Sequence, residues 1–493
     1  MTNTDAGVLE RWFHLSEQGT TPRTEILAGV TTFLTLAYIL FVQPALMSSI
    51  GLDFGAVFVA TCLASAFATL LMAGLANYPI AVAPAMGHNF YFVFTVVVAM
   101  DVPWQVALGA VAIAGLLFIA TAGFGLRERL IVAIPRSLKH AIAAGIGLLI
   151  ATIGLQWAGI VVASPGTLVA LGDLRTPPVL VALLGLVVTA VLWARGIRGA
   201  ILIGILVSTA AAWAGGLARF QGVAALPPSI VPTLGQFDPL GALRVEFASV
   251  IFVFFFLALF DSVGTLVAVG EQAGLMRDGV LPRARGALLA DAVGTVAGAA
   301  LGTSTVTAYV ESATGVSAGG RTGLTAVVIA ALFLLSLFFS PLVGMIGSGY
   351  DAGGGVTLYP AVAPALILVG TMMVQGVRHI EWDDPTEALP AFLTLMVMPL
   401  AVSITDGIAF GFIAFALLKI ATRRGVAVKR TGSSTSSPCC FCSDMRFSSV
   451  LSHVDLVTQC AALGWPGAAS EHIGNIRVRR NAVQAGCPAW NTV

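Results

Sequence analysis

Three carboxylates stand in apolar surroundings: Asp261 in "IFVFFFLALFDSVGTLVAVG", Asp291 in "ALLADAVGTVAG" and Glu311 in "GTSTVTAYVESATG". An ionised side chain at the centre of a bilayer costs about 2.5–3.5 kcal/mol on insertion scales, so such acids mark binding sites, proton paths or pairs. Asp261 and Glu311 are read as ligand-binding groups. Asp291 is flanked by small residues that permit close helix contact, and a structural hydrogen bond suits it as well as a functional role. The stretch "APAMGHNFYF" adds Asn89, whose amide offers both a donor and an acceptor to a heterocycle edge. Gly87 lets backbone approach a ligand closely. Phe90, Tyr91 and Phe92 offer a stacking face or plain packing, and His88 is either a structural hydrogen-bonder or a proton relay. Two acids without a buried cationic partner would repel an anion but accept hydrogen bonds from a neutral ring with N–H donors. A carboxyl group in a low dielectric holds its proton to higher pH, so one of these acids also suits the binding of a driving proton. The chemistry is that of a proton-coupled carrier for a polar planar solute.

The elements that position these residues are membrane spans. The chain has 493 residues, of which 57% are hydrophobic and 10% charged, with a mean hydropathy of +0.94. A soluble globule carries about 25% charged residues. The apolar blocks suit helices crossing a hydrocarbon core of about 30 Å, whereas barrel strands would be shorter and alternating. A lipid bilayer is thus the surroundings, and a net charge of +1 gives no basic field for nucleic acid. Apolar windows predict fourteen transmembrane segments within 26–421, with segment three at 79–99 and segment ten at 303–318. With a cytoplasmic N-terminus, the even-numbered breaks hold Arg127, Arg129, Arg136, Lys139, Arg195, Arg198, Arg277, Arg283, Arg285, Arg321 and Arg378, against Arg175, Arg219 and Arg244 in the odd ones. Arg423, Arg424, Lys429 and Arg430 follow the last span, so both termini are expected in the cytoplasm.

Fourteen divides into seven plus seven, and an odd-numbered unit re-enters the membrane inverted the second time. Segments three and ten then correspond. Both are rich in glycine, with proline in the first and alternating Thr and Val in "TSTVTAYV", so both are expected to be broken helices with short extended pieces that meet around a midplane site. The overall expectation is an all-α polytopic membrane protein. Residues 1–25 read as a cytoplasmic N-terminus without a cleavable signal. From 425 to 493 the composition changes to a polar tail, expected to be poorly ordered, with "CCFC" in place of the paired spacing of a zinc site. No metal and no cofactor are expected.

At the level of motifs the chain resembles the AzgA-like purine permeases, the hypoxanthine/adenine/guanine branch of the nucleobase/ascorbate transporter superfamily. The likeness is carried by "TEILAGVTTFLTLAYILFVQPALM", "PIAVAPAMGHNFYF", "IPRSLKHAIAAGIGLLIATIGLQ", "LFDSVGTLVAV", "GTSTVTAYVESATGVSAGGRTGLTAVV" and "SITDGIAFGFI", in matching order over roughly residues 11–422. The resemblance implies a core domain from 26–124 and 247–346 and a gate domain from 138–216 and 356–421. It implies proton-coupled purine uptake by an elevator-like movement of the core, in the cell membrane and commonly as a homodimer. It places base binding on Asp261, Glu311, Gly87 and Asn89, and a less defined acid on Asp291; Phe90 completes the site read from the sequence. His88 departs from the pattern, which has an apolar residue there in many relatives. The absence of an asparagine soon after Glu311 separates the chain from the xanthine and uracil branches. The rival within transport is a sulfate-permease-type anion carrier, which shares the fold but favours helix N-termini and a cation over two central acids. An enzyme is not expected: the sequence has no His-Glu-x-x-His motif and no nucleophile with its base.

Overall fold

The computed structural model describes residues 8–124, 135–164, 166–276, 281–347, 349–353 and 356–422. The tail 425–493, its cysteines and the loop charges Arg127, Arg129, Arg277, Arg423, Arg424, Lys429 and Arg430 lie outside the described residues. The stretch Met1–Leu418 forms one unit.

Among the described residues, nine helices are long and apolar enough to cross a membrane. The other five of the fourteen expected stretches hold shorter elements, for two distinct reasons. The helices Ala200–Ala214, Ala363–Val374 and Pro385–Ala401 are merely short. The stretches 79–99 and 303–318 are interrupted by strand.

Helix α1 (Pro22–Leu36) and helix α2 (Ile39–Ser48) share the first apolar block, which breaks at Ala37 and Tyr38 rather than running through. Helix α3 (Phe54–Ala76) starts on Asp53, whose carboxylate accepts from the Ala56 N–H at 2.7 Å, the cap that a first turn needs. It ends on Asn77 in the left-handed region (φ 54°), which asparagine tolerates better than other side chains. Strand β1 (Val82–Pro84), helix α4 (Met86–Phe90) and a π-helical turn, Tyr91–Ala99, make up the third block. Helices α5 (Trp104–Phe124), α6 (Arg136–Trp157), α7 (Pro177–Ala194) and α8 (Ala200–Ala214) follow.

The second half opens with helix α9 (Ala248–Gln272) and helix α10 (Ala284–Leu301). Strand β2 (Val306–Ala308) and the short helix α11 (Ser312–Ser317) lead into helix α12 (Gly323–Ser336). Helices α13 (Ala363–Val374), α14 (Pro385–Ala401) and α15 (Ile404–Ala421) complete the described chain. Helix α3 packs on α10, α12 and α2, and α5 packs on α10 and α9; separately, α6 packs on α13 and α14, and α7 on α8.

The two interrupted stretches meet. β1 and β2 pair antiparallel, Val82 opposite Ala308, Ala83 opposite Thr307 and Pro84 opposite Val306, and all six residues are buried. Each strand's outer edge needs partners, because bare amides and carbonyls are too costly away from water. A threonine on the neighbouring helix supplies them on both sides. Thr69 Oγ1 donates to the Val82 carbonyl and accepts from the Val82 N–H, both at 3.0 Å. Thr295 Oγ1 does the same for Val306, at 2.9 and 3.3 Å.

The chain is mostly helical, and beyond the extended pieces expected in segments three and ten it has two further strand pairs in the connections. Val161–Ser164 pairs with Leu168–Leu171, and Tyr350–Asp351 with Thr357–Leu358, as small antiparallel hairpins. The first has a physical signature in "VVASPGTLVAL", two β-prone runs around a Ser-Pro-Gly turn.

Candidate functional site

Of the three acids singled out in the sequence, two bond to β2 and the third follows it closely in the chain. Thr307 Oγ1 donates to Asp261 Oδ2 at 3.1 Å, fixing α9 to the middle of the strand. The Ala308 N–H donates to Asp291 Oδ2 at 3.2 Å, so the buried acid of α10 holds the end of the same strand. Glu311 follows three residues later as the first residue before α11, and its Oε1 accepts from the Tyr38 hydroxyl at 2.8 Å. The break between α1 and α2 is what turns Tyr38 inward to meet it.

These acids differ in access. Glu311 is 8% exposed and Asp291 wholly buried. Asp261 has 47% of its side chain exposed, and it opens onto a cavity of about 400 Å³ between α4, α6 and α9. That size lies within the range of about 300–1,000 Å³ usual for small-molecule sites. One wall is Gly87 and His88 of α4, and another is Phe256, Phe260 and Asp261 of α9. The facing wall belongs to α6 and carries Ile142 and Ile146, with Arg136, Lys139 and His140 on its first turns. Lys139 Nζ stands 5.7 Å from the centre of the Phe260 ring, a cation–π contact across the cavity.

Gly87, His88 and Asp261 thus line one cavity; Asn89, Phe90, Asp291 and Glu311 do not line it. Asn89 is fully buried, its Oδ1 accepts from Ser304 Oγ, and its Nδ2 has no partner among the described residues. It joins the third block to the approach of β2. Phe90 is also fully buried and stacks on Phe94 at 5.8 Å, within the core. The aromatic surface of the cavity is supplied instead by Phe256 and Phe260, whose ring centres are 4.5 Å apart. Sequence reading missed these two because "IFVFFFLALF" is phenylalanine-rich throughout, and neither stands three or four residues from Asp261, the spacing that would have set it on the same helix face.

A second missed acid is structural. Glu25 of α1 is fully buried and accepts from the backbone N–H groups of Arg321, Thr322 and Thr325 at 2.9, 3.3 and 3.2 Å. A carboxylate at a helix start satisfies amides that have no partner inside the helix. Asn77 adds to the same end, its Oδ1 accepting from the Gly323 N–H at 2.7 Å.

Broken helices that cross at a buried strand pair, beside a cavity with an acid in its wall, define a membrane carrier. Comparison with known proteins gives the family. The model of the Permease family matches residues 23–410, and the chain belongs to that family. It is 46% identical to adenine permease AdeP of Escherichia coli (strain K12) over 419 residues, 85% of this chain and 92% of that one. It is 45% identical to guanine/hypoxanthine permease PbuO of Bacillus subtilis (strain 168) over 415 residues, 83% of this chain and 94% of that one. The resemblance to the AzgA-like purine permeases is borne out by these relatives, and the chain is an integral membrane permease, not an enzyme. In fold it is similar to the transmembrane domain of a cyanobacterium bicarbonate transporter, BicA, with a TM-score of 0.58 at 16% identity, covering 78% of this chain and 97% of that one.

Proposed function

We propose that the chain imports purine nucleobases, hypoxanthine, guanine or adenine, by proton symport across the cell membrane. The observation that carries this reading is the gathering of three acids around one short strand, Asp261 and Asp291 bonded to it and Glu311 just beyond its end, with Asp261 open to a cavity walled by Phe256 and Phe260. A purine presents a flat face to such rings and N–H donors at its edge. A neutral base satisfies a carboxylate acceptor without bringing a second charge into a low dielectric. The names of the relatives, adenine and guanine/hypoxanthine permeases, point to the same cargo.

Glu311 and Asp261, with Asp291 behind the strand, are the proton-binding groups in this scheme, and Gly87 and Asn89 complete the broken segment at which the base docks. Segments 26–124 and 247–346 act as the moving core, and 138–216 and 356–421 as the gate. Thr69 and Thr295 dress the two strands in the same way, which fits a seven-plus-seven inverted repeat. The basic first turns of α6 line the cavity, which fits an opening on the cytoplasmic side with both termini there. The working unit is a homodimer.

One observation favours a second reading. Arg136, Lys139 and His140 line the cavity that holds Asp261, and cations there would suit an anion carrier of this fold. Uptake assays separate the two. Glu311→Gln and Asp261→Asn are each expected to abolish uptake of labelled hypoxanthine while the protein still reaches the membrane. Wild-type uptake by both variants sinks the site. Competition by sulfate or bicarbonate, with none by purines, moves the assignment to anions, and competition by xanthine or uracil alone moves it to a neighbouring nucleobase branch.

A further inference from the structure

His88 has no part in the transport scheme above, yet its position is unusual. Its side chain is 3% exposed and contributes to the cavity wall, and neither ring nitrogen has a hydrogen-bond partner among the described residues. An imidazole carries at least one N–H, and a buried donor left unmatched calls for a partner in some state of the molecule. A partner stands close by. Asp261 Oδ2 lies 4.0 Å from His88 Nδ1, beyond hydrogen-bond range by about 1 Å. That oxygen already accepts from Thr307, and a carboxylate oxygen has lone pairs for a second donor.

We infer that His88 is a positioning residue for Asp261: when cargo fills the cavity, its Nδ1–H closes onto Oδ2 and, together with Thr307, turns Oδ1 toward an N–H of the cargo. That closed arrangement divides the carboxylate between two tasks. Oδ2 is anchored by the protein from two elements, β2 through Thr307 and α4 through His88, and Oδ1 faces the ligand. An apolar residue at position 88 would leave the carboxylate anchored from one side only and free to rotate about its Thr307 bond. The inference rests on the purine reading.

Initial rates of labelled hypoxanthine uptake, measured against concentration in cells carrying the full chain, test it, with the amount of transporter in the membrane quantified alongside. His88→Leu removes the donor; His88→Asn keeps an amide N–H near the place of Nδ1. We expect His88→Leu to raise KM about tenfold with Vmax per transporter within about twofold of wild type, and His88→Asn to bring KM back to within about threefold. A leucine variant with wild-type KM, or an asparagine variant as impaired as leucine, overturns the role. Should leucine keep the protein from the membrane, His88→Phe retains the ring's bulk and takes its place in the comparison. A wild type that takes up no purine overturns the cargo assignment and this role together, whereas normal wild-type uptake with an indifferent leucine variant overturns this role alone.

Discussion

Glu311 owes its place to one phenol. Tyr38 donates to it at 2.8 Å from the break between α1 and α2, and both groups are buried. A hydrogen bond to an ionised group contributes about 1.5–3 kcal/mol, and stranding the acceptor costs a comparable amount. Tyr38→Phe, which removes only the hydroxyl, is expected to raise the KM for hypoxanthine by about tenfold or more with the transporter still present in the membrane. Uptake kinetics indistinguishable from wild type would show that Glu311 is held by something else. The acids were legible in the sequence because a carboxylate in an apolar run is conspicuous. Tyr38 was not, since "LAYILF" reads as ordinary packing and contains no glycine or proline to announce a break. Phe256 and Phe260 were hidden for the opposite reason, among too many phenylalanines to tell which ones face a cavity.

At the scale of elements, the strand pair is the part that the chain must keep from unravelling. Each strand has one edge occupied by the other strand and an outer edge met by a threonine hydroxyl that both donates and accepts, with Asp291 accepting further along β2. Valine has nearly the shape of threonine but neither function. Thr69→Val and Thr295→Val each leave a buried N–H and a carbonyl unmatched, at about 1–3 kcal/mol per group. Both should lower the melting temperature of the purified protein in detergent. Thr371→Val is the control, because Thr371 is exposed and its hydroxyl only bonds back to Ile367 within its own helix. Melting temperatures unchanged in both cap variants would mean that the strands do not depend on the threonines. The alternation in "TSTVTAYV" announced β2, and the proline and glycine of "YPIAVAPAMG" marked the interruption around β1. The pairing partner across 220 or so residues is a tertiary fact, and alternation alone does not name it. The hairpin at Val161–Leu171 is hard to read from sequence because its short apolar runs continue the apolar block of α6, and periodicity alone does not separate a short strand from a helix end.

At the scale of the whole molecule, packing separates what is welded from what can part. Helices α6 and α13 touch backbone to backbone: a Cβ on Gly370 would collide with the Gly147 carbonyl oxygen. Across the cavity, α6 reaches α9 through a long flexible side chain, Lys139 over Phe260. In the proposed scheme of a core moving against a gate, the cavity is the seam between them, and the acid beside it is Asp261. The basic wall was legible only as loop charge; its presence in the cavity required the fold. Movement of a neutral base through such a seam equilibrates it, and accumulation requires an ion that travels with it. In the proposed symport, protonation of a carboxyl group removes its charge before the loaded core crosses the seam, which lowers the cost of carrying it through a low dielectric. A protonophore is accordingly expected to collapse the accumulation of labelled hypoxanthine in energised cells to about the external level, with exchange of labelled for unlabelled base surviving, because exchange needs no net driving force. Accumulation that resists the protonophore and follows sodium instead would reassign the coupling ion, and the carboxylates would then have to be read as sites for a metal cation rather than a proton.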